Sequence, residues 1–199
     1  MSRAAQDSRS WGSAVPGGLR GPGGGLRGPG TTPLPSAAVH APPLHIVLLH
    51  PEIPNNTGTI GRTAAATGCR LHIIHPISFD MSEKAVRRAG LDYWPLVDCR
   101  HHESWEAYLV SAAPSRLWLY TTTSARPHWE AAFAPDDHLL FGNETSGAPA
   151  QIHDYVRTHY GADHSITLPM IDDPRARSLN LSNAVCAGVY EGLRQIAER

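Results

Sequence analysis

Three polar segments, the first two of them glycine-bearing, hold most of the side chains that could do chemistry. The first, Pro51-Glu52-Ile53-Pro54-Asn55-Asn56-Thr57-Gly58-Thr59-Ile60-Gly61-Arg62, places Asn56 six residues before Arg62. A loop amide and a guanidinium about a turn and a half inside the following helix can point at one place, and a guanidinium suits bidentate phosphate contacts. The same residues also fit a plain helix start, with Asn56 or Thr57 as cap and Arg62 in solvent. The second, Phe141-Gly142-Asn143-Glu144-Thr145-Ser146-Gly147-Ala148-Pro149, sets an acid between two glycines. Glycines let a backbone approach a ligand, and Pro149 suits a first helical position. An ordinary strand–turn–helix with Glu144 near the helix N-terminus reads equally well. The third joins Leu168-Pro169-Met170 to Arg177-Ser178-Leu179-Asn180-Leu181-Ser182-Asn183-Ala184. Ser182 or Asn183 would serve as a cap, but the density of Ser178, Asn180, Ser182 and Asn183 exceeds what one cap requires.

Each of these segments follows a run that reads as a strand. Leu44 to Leu49 is a continuous apolar run broken by His45, as expected of a strand buried on both faces. Thr57 to Thr67 reads as a helix stopped by Gly68, and Arg70 to His75 as the next strand. Ser82 caps a short helix that ends at Gly90. A helix over Glu103 to Ala112 follows, then strands at Leu117 to Thr121 and His138 to Phe141. Pro149 to Val156 is helical and Ser165 to Leu168 a short strand. Leu181 to Glu198 closes the chain with Leu181, Val185, Val189, Leu193 and Ile196 in one apolar stripe. Strands alternating with helices predict an α/β fold, a mostly parallel sheet with helices on both faces. In such sheets ligands bind at the carboxyl ends of the strands.

Residues 1–43 differ in kind. Gly18-Leu19-Arg20-Gly21-Pro22-Gly23 recurs as Gly25-Leu26-Arg27-Gly28-Pro29-Gly30, and such a segment cannot bury enough apolar surface to offset its ordering entropy. We expect a disordered tail over 1–43 and one domain over 44–199. The tail has no apolar core for a signal peptide; being Arg-containing and acid-poor it admits a transit peptide, though its Gly/Pro density opposes the amphipathic helix that import prefers. Gly23 to Gly28 fits G-x-G-x-x-G but stands between no strand and helix, which removes its meaning as a dinucleotide site.

Composition narrows the classes further. The chain is 41% hydrophobic with a formal charge of −1, so any RNA contact needs a local patch rather than a bulk positive field. Lys84 is the only lysine. Cys69, Cys99 and Cys186 are an odd set without Cys-x-x-Cys spacing, which argues against a disulfide framework and for a reducing, cytoplasmic setting. Twelve histidines are scattered; His72 and His75 face opposite sides of a strand and His101 adjoins His102, so no metal site is expected. No apolar run nears the ~20 residues of a membrane span.

Read in order, N-x-x-x-x-x-R after the first strand, F-G-x-E-x-x-G-x-P, and P-M…R-S-L-N-L-S-x-A…Y-E resemble the signature segments of the SPOUT RNA methyltransferases. The fit is closest to the TrmL type, the tRNA (cytidine/uridine-34-2′-O)-methyltransferases. Pro51-Glu52-Ile53-Pro54, Arg70-Leu71-His72-Ile73-Ile74 and Arg87-Arg88-Ala89-Gly90-Leu91-Asp92-Tyr93 also resemble that subfamily. The likeness spans Leu44 to Gln195; the stretch between Met170 and Arg177, with Pro174 inside it, is longer than the pattern.

The resemblance implies a C-terminal trefoil knot, a homodimer, tRNA as partner and S-adenosylmethionine as methyl donor, with no metal. It implies cofactor binding by Tyr120, Thr121, Gly142, Asn143, Leu168, Met170, Ser178 and Leu179. It implies catalysis by Arg62 with Asn56, Glu144, Ser178 and Asn180 as companions, and RNA contacts from Arg62, Arg87, Arg88 and Arg177. Since the sulfonium already makes the methyl electrophilic, the protein must align a ribose 2′-hydroxyl with it and have that hydroxyl lose its proton. An arginine, with pKa above ~12, suits stabilising the developing alkoxide better than taking the proton. Competing readings are a relative acting on another tRNA or rRNA site, an inactive RNA-binding protein of the same fold, and an oxidoreductase resting only on the tail motif.

Overall fold

The computed structural model describes residues 41–199. The expected disordered tail lies outside the described residues except for its last three, and the glycine motif at 23–28 lies wholly outside them.

Six parallel strands form one sheet in the order β3-β2-β1-β5-β4-β6. They are β1 (Leu44–Leu49), β2 (Arg70–Ile74), β3 (Cys99–His102), β4 (Leu117–Tyr120), β5 (Asp137–Phe141) and β6 (Ser165–Ile166). The helices are α1 (Pro54–Thr67), α2 (Glu83–Arg88), α3 (Trp105–Ala112), α4 (Ala150–His159) and α5 (Leu181–Ala197). Every residue of β1 is buried, and its alternation sorts them between two cores. Leu44, Ile46 and Leu48 meet Ile60 and Ala64 of α1 and Val185, Val189 and Leu193 of α5 on one face. Val47 and Leu49 meet Tyr108 of α3 and Ile152 and Val156 of α4 on the other. The parallel sheet covered on both faces is therefore present, and the α5 stripe packs as expected.

The differences from the sequence reading have local causes. α1 begins at Pro54 rather than Thr57: a proline preset for the first turn starts the helix early. Asn56 and Thr57 are thus buried inside the helix and cap nothing. Gly68 stops it with φ 72, as expected. β3 was not foreseen, because Cys-Arg-His-His on a sheet edge offers no apolar run. Ser104, whose side chain accepts from the Ala107 N–H, delays α3 to Trp105. Pro149 is the residue before α4 rather than its first, and β6 is only two residues long.

The α3 face of the sheet carries a polar layer. His45 Nε2 lies 2.9 Å from Asp136, and His45 Nδ1 lies 2.9 Å from His72 Nε2. His72 Nδ1 lies 2.9 Å from His102 Nε2, and His102 Nδ1 lies 3.0 Å from Ser111 Oγ. His138 stacks on His45 with centroids 3.9 Å apart and bonds Tyr108 Oη at 2.7 Å. The rings of His45, His72 and His138 approach closely enough to surround an ion. However, both nitrogens of His45 and of His72 already serve the ladder, and stacked rings aim their lone pairs in parallel rather than at one tetrahedral centre. The scattered histidines of the sequence are thus gathered, but as a hydrogen-bonded ladder.

Burial holds His72 down to about 2 and His138 to about 3, below the ordinary 6.5; His45 is lowered too, the cost of burial outweighing the pull of Asp136. A histidine whose folded pKa is depressed contributes stability that is full above 6.5 and is lost as pH falls toward the folded value, because the unfolded chain binds the proton first. Below 6.5 each such ring should cost about 1.4 kcal/mol per pH unit. Urea melts at pH 7.5 and pH 5 should therefore show a clear fall in midpoint, and an unchanged midpoint would refute neutral buried rings.

Candidate active site

The loops after β4, β5 and β6 meet at one end of the sheet around a cleft of about 520 Å³. All eight residues expected to bind a cofactor line it: Tyr120 and Thr121 after β4, Gly142 and Asn143 after β5, and Leu168, Met170, Ser178 and Leu179 before α5. Glu144 lines it as well. Its size and its mix of apolar walls with loop backbone suit a nucleoside-sized ligand.

The β5 loop is built around a close backbone approach. Asn143 and Gly147 exchange backbone bonds of 3.2 and 3.1 Å, and Asn143 Oδ1 accepts from the N–H groups of Thr145 and Ser146. Gly147 sits at φ 68, where a side chain is strained. A Cβ on Gly142 would stand 2.1 Å from the carbonyl carbon of Gly147, backbone against backbone. Only glycine lets this turn close.

Glu144 fastens that turn to the β1 loop. Its carboxylate accepts from the Glu52 N–H at 2.8 Å, the Ile53 N–H at 3.2 Å and Asn56 Nδ2 at 2.9 Å. Asn56 has thereby spent its amide on Glu144, so its Oδ1 accepts from Asn180 Nδ2 at 2.9 Å. Asn180 in turn caps α5, its Oδ1 accepting from the Ser182 N–H at 2.9 Å and Oγ at 2.6 Å. The cap is thus Asn180 and not Ser182 or Asn183. Glu52 adds a second tie, accepting from Thr145 Oγ1. Sequence reasoning gave Glu52 no role; an acid three residues past the end of β1 was the only available signal.

Arg62 stands apart from this group. With α1 starting at Pro54, Asn56 and Arg62 are both helical, and six residues at ~100° each set them ~120° apart around the axis. They do not point at one place: Asn56 is buried in the loop junction, whereas Arg62 is exposed, 4.1 Å above the Tyr93 ring, on the wall of a second hollow. Arg87 and Arg88 are exposed at the end of α2, and Arg177 lines the cofactor-sized cleft. Arg175 is held by Asp173 through bonds of 3.0 and 2.7 Å. Burial raises the Tyr120 hydroxyl well above the ordinary phenol range, so this cleft wall stays neutral.

This fold and cleft are those of a known class: residues 43–190 match the model of the SpoU rRNA Methylase family, and the chain belongs to that family, within the SPOUT methyltransferases. Among its relatives, the tRNA (cytidine(34)-2'-O)-methyltransferase of Saccharophagus degradans is 44% identical over 152 residues, 76% of this chain and 95% of that protein. A solved structure described as giving insight into the 2-OH methylation of C/U34 on tRNA is 41% identical, with a TM-score of 0.68 over 78% of this chain and 97% of that one. AviRb of Streptomyces viridochromogenes, solved with AdoMet, is 26% identical with a TM-score of 0.61, over 79% and 62% of the two chains. Among the described residues no helix is long and apolar enough to cross a membrane.

Two substitutions test the architecture. Gly142→Ala must push the 147–148 backbone aside and should weaken S-adenosylmethionine binding at least tenfold by calorimetry; wild-type affinity would mean the turn is not part of the cleft. Glu144→Gln sets an amide donor against a backbone donor in a half-buried junction and gives up charge-assisted bonds, and should lower stability by about 1 kcal/mol in urea melts. An unchanged melt would show that the junction contributes nothing.

Proposed function

We propose that this protein transfers a methyl group from S-adenosylmethionine to the ribose 2′-hydroxyl of the wobble nucleotide, position 34, of a tRNA, as a cytoplasmic homodimer whose cofactor loops form a trefoil knot. The observation that carries the reading is the cleft itself: eight residues from three distant segments, assigned by resemblance alone, line one hollow at the carboxyl end of a parallel sheet. The near-complete coverage of a relative named for cytidine-34 methylation supports the choice of nucleotide. The domain proposed to act is residues 44–199, with 1–43 as an appended tail.

S-adenosylmethionine, when bound, supplies a methyl group already made electrophilic by its sulfonium. The chain's own task is to hold a 2′-oxygen in line with it and ease the loss of the hydroxyl proton. Glu144, Asn56 and Asn180 keep the loops around the cleft in place, and the backbone of Gly142 and Asn143 with the apolar faces of Leu168, Met170 and Leu179 orient the donor. Arg62 stabilises the negative charge that develops on the 2′-oxygen. Because Arg62 faces away from its own cleft, a second copy of the chain presents this guanidinium to it. Ile53, Leu179 and Tyr190 expose apolar surface just before α1, just before α5 and on α5, consistent with such a contact. Arg87 and Arg88 supply a local positive patch for RNA in a chain without net positive charge.

Mapping 2′-O-methyl groups in tRNA from cells lacking the protein should show loss at position 34; loss at another tRNA or rRNA site would move the assignment within the family. Arg62→Ala should keep S-adenosylmethionine affinity while lowering kcat about 100-fold. If only the KM for tRNA rises, Arg62 is a phosphate contact. Mixed dimers of an Arg62→Ala subunit with a Gly142→Ala subunit should recover roughly half the activity, and a fully active monomer in sedimentation would refute the shared site.

A further inference from the structure

The second hollow, about 400 Å³ between α1 and the segment around residues 80–93, has Arg62, Thr59, Met81, Leu91 and Tyr93 among its walls. We infer that Tyr93 is a positioning residue, a ring that holds the Arg62 guanidinium in the orientation in which it acts. The inference rests on the role given to Arg62 above.

An arginine on an exposed helix face samples many rotamers, and a charge stabiliser works only when its direction is set beforehand. Here the guanidinium carbon lies 4.1 Å from the centre of the Tyr93 ring, the range of a cation on an aromatic face. The ring is itself anchored to the helix that carries Arg62. Its hydroxyl donates to the Gly58 carbonyl at 2.6 Å, one turn before Arg62. The neighbours of Tyr93 press on the same helix: Leu91 methyls come within 3.5 Å of where a Gly58 Cβ would stand, and Trp94 within 2.3 Å of a Gly61 Cβ. Two bare turns of α1 thus receive the 91–94 segment flush. That segment is braced by Leu91 N–H to Val86 and Trp94 N–H to Leu91, at 3.2 and 3.1 Å. The contacts at Gly58 and Gly61 fix Tyr93 relative to α1, and the exposed group over its ring is Arg62. A purely structural strap would need Leu91 and Trp94; it would not need a ring under a cation.

The test separates the clamp from its purpose. In the absence of RNA, the Arg62 side-chain NMR signals should carry a ring-current displacement that disappears in Tyr93→Leu; unchanged signals would overturn the clamp whatever the enzyme does. In single-turnover methylation of tRNA, Tyr93→Leu should lower the rate about tenfold, with cofactor affinity and the KM for tRNA within about twofold of wild type. Tyr93→Phe, which keeps the ring, should recover most of that loss. In an Arg62→Ala background Tyr93→Leu should cost nothing more, since the pair acts as a unit. A further tenfold loss in that background, or full activity in Tyr93→Leu while Arg62→Ala is impaired, would overturn the positioning role. Wild-type protein that methylates no tRNA, or full activity in Arg62→Ala, would instead sink the functional reading, and the NMR comparison would still decide the clamp. Tyr93→Met fills the same space without a ring and repeats every arm should Tyr93→Leu fail to fold.

Discussion

One carboxylate holds the functional end of the molecule together. Glu144 receives two backbone N–H groups from the loop after β1 and the amide of Asn56, and Asn56 passes its carbonyl to Asn180 at the start of α5. Segments far apart in sequence are joined by four bonds that all run toward Glu144, one of its oxygens accepting from both the Ile53 N–H and Asn56 Nδ2. A partly buried carboxylate is costly unless its lone pairs are met, and here donors from another loop meet them. The cleft exists because those loops cannot drift independently.

This arrangement changes what the polar residues of the site mean. Asn56, Glu144 and Asn180 look from their chemistry like a reacting group, yet in this chain they satisfy one another. Arg62, by contrast, lies over an aromatic ring and away from the cleft of its own chain. The frame of mutually satisfied side chains and the Arg62 guanidinium thus occupy separate places in the chain, the first beside the cleft and the second on the wall of the other hollow.

The sheet and its cores were legible because they follow from period alone. Leu44 to Leu49 announces a doubly buried strand, and the spacing of Leu181, Val185, Val189 and Leu193 announces the face of α5. The eight cleft residues were legible only through resemblance, since nothing in Tyr120 or Leu168 by itself marks a ligand. β3 was illegible: edge strands earn few apolar contacts, and Cys-Arg-His-His carries no pattern of burial. The start of α1 was misread by three residues because Asn and Thr are strong caps, while Pro54 acts through its fixed φ instead. That shift turned an expected convergence of Asn56 and Arg62 into two divergent positions, ~120° apart around the helix. The 91–94 strap was invisible for a different reason: its partner is the absence of side chains at Gly58 and Gly61, and a missing atom leaves no trace in a periodicity.

The histidine ladder bears on how the strands find their places. Its rings follow one another across the sheet: His138 of β5 stacks on His45 of β1, which bonds His72 of β2, which bonds His102 of β3. A slip of one residue in any of these strands would carry its histidine to the opposite face, among leucines and isoleucines, and strand its neighbours without partners. Apolar residues fill either face almost equally well, so they discriminate poorly between alignments. The imidazoles do not. They act as a tooth-and-notch code that only the native alignment can close.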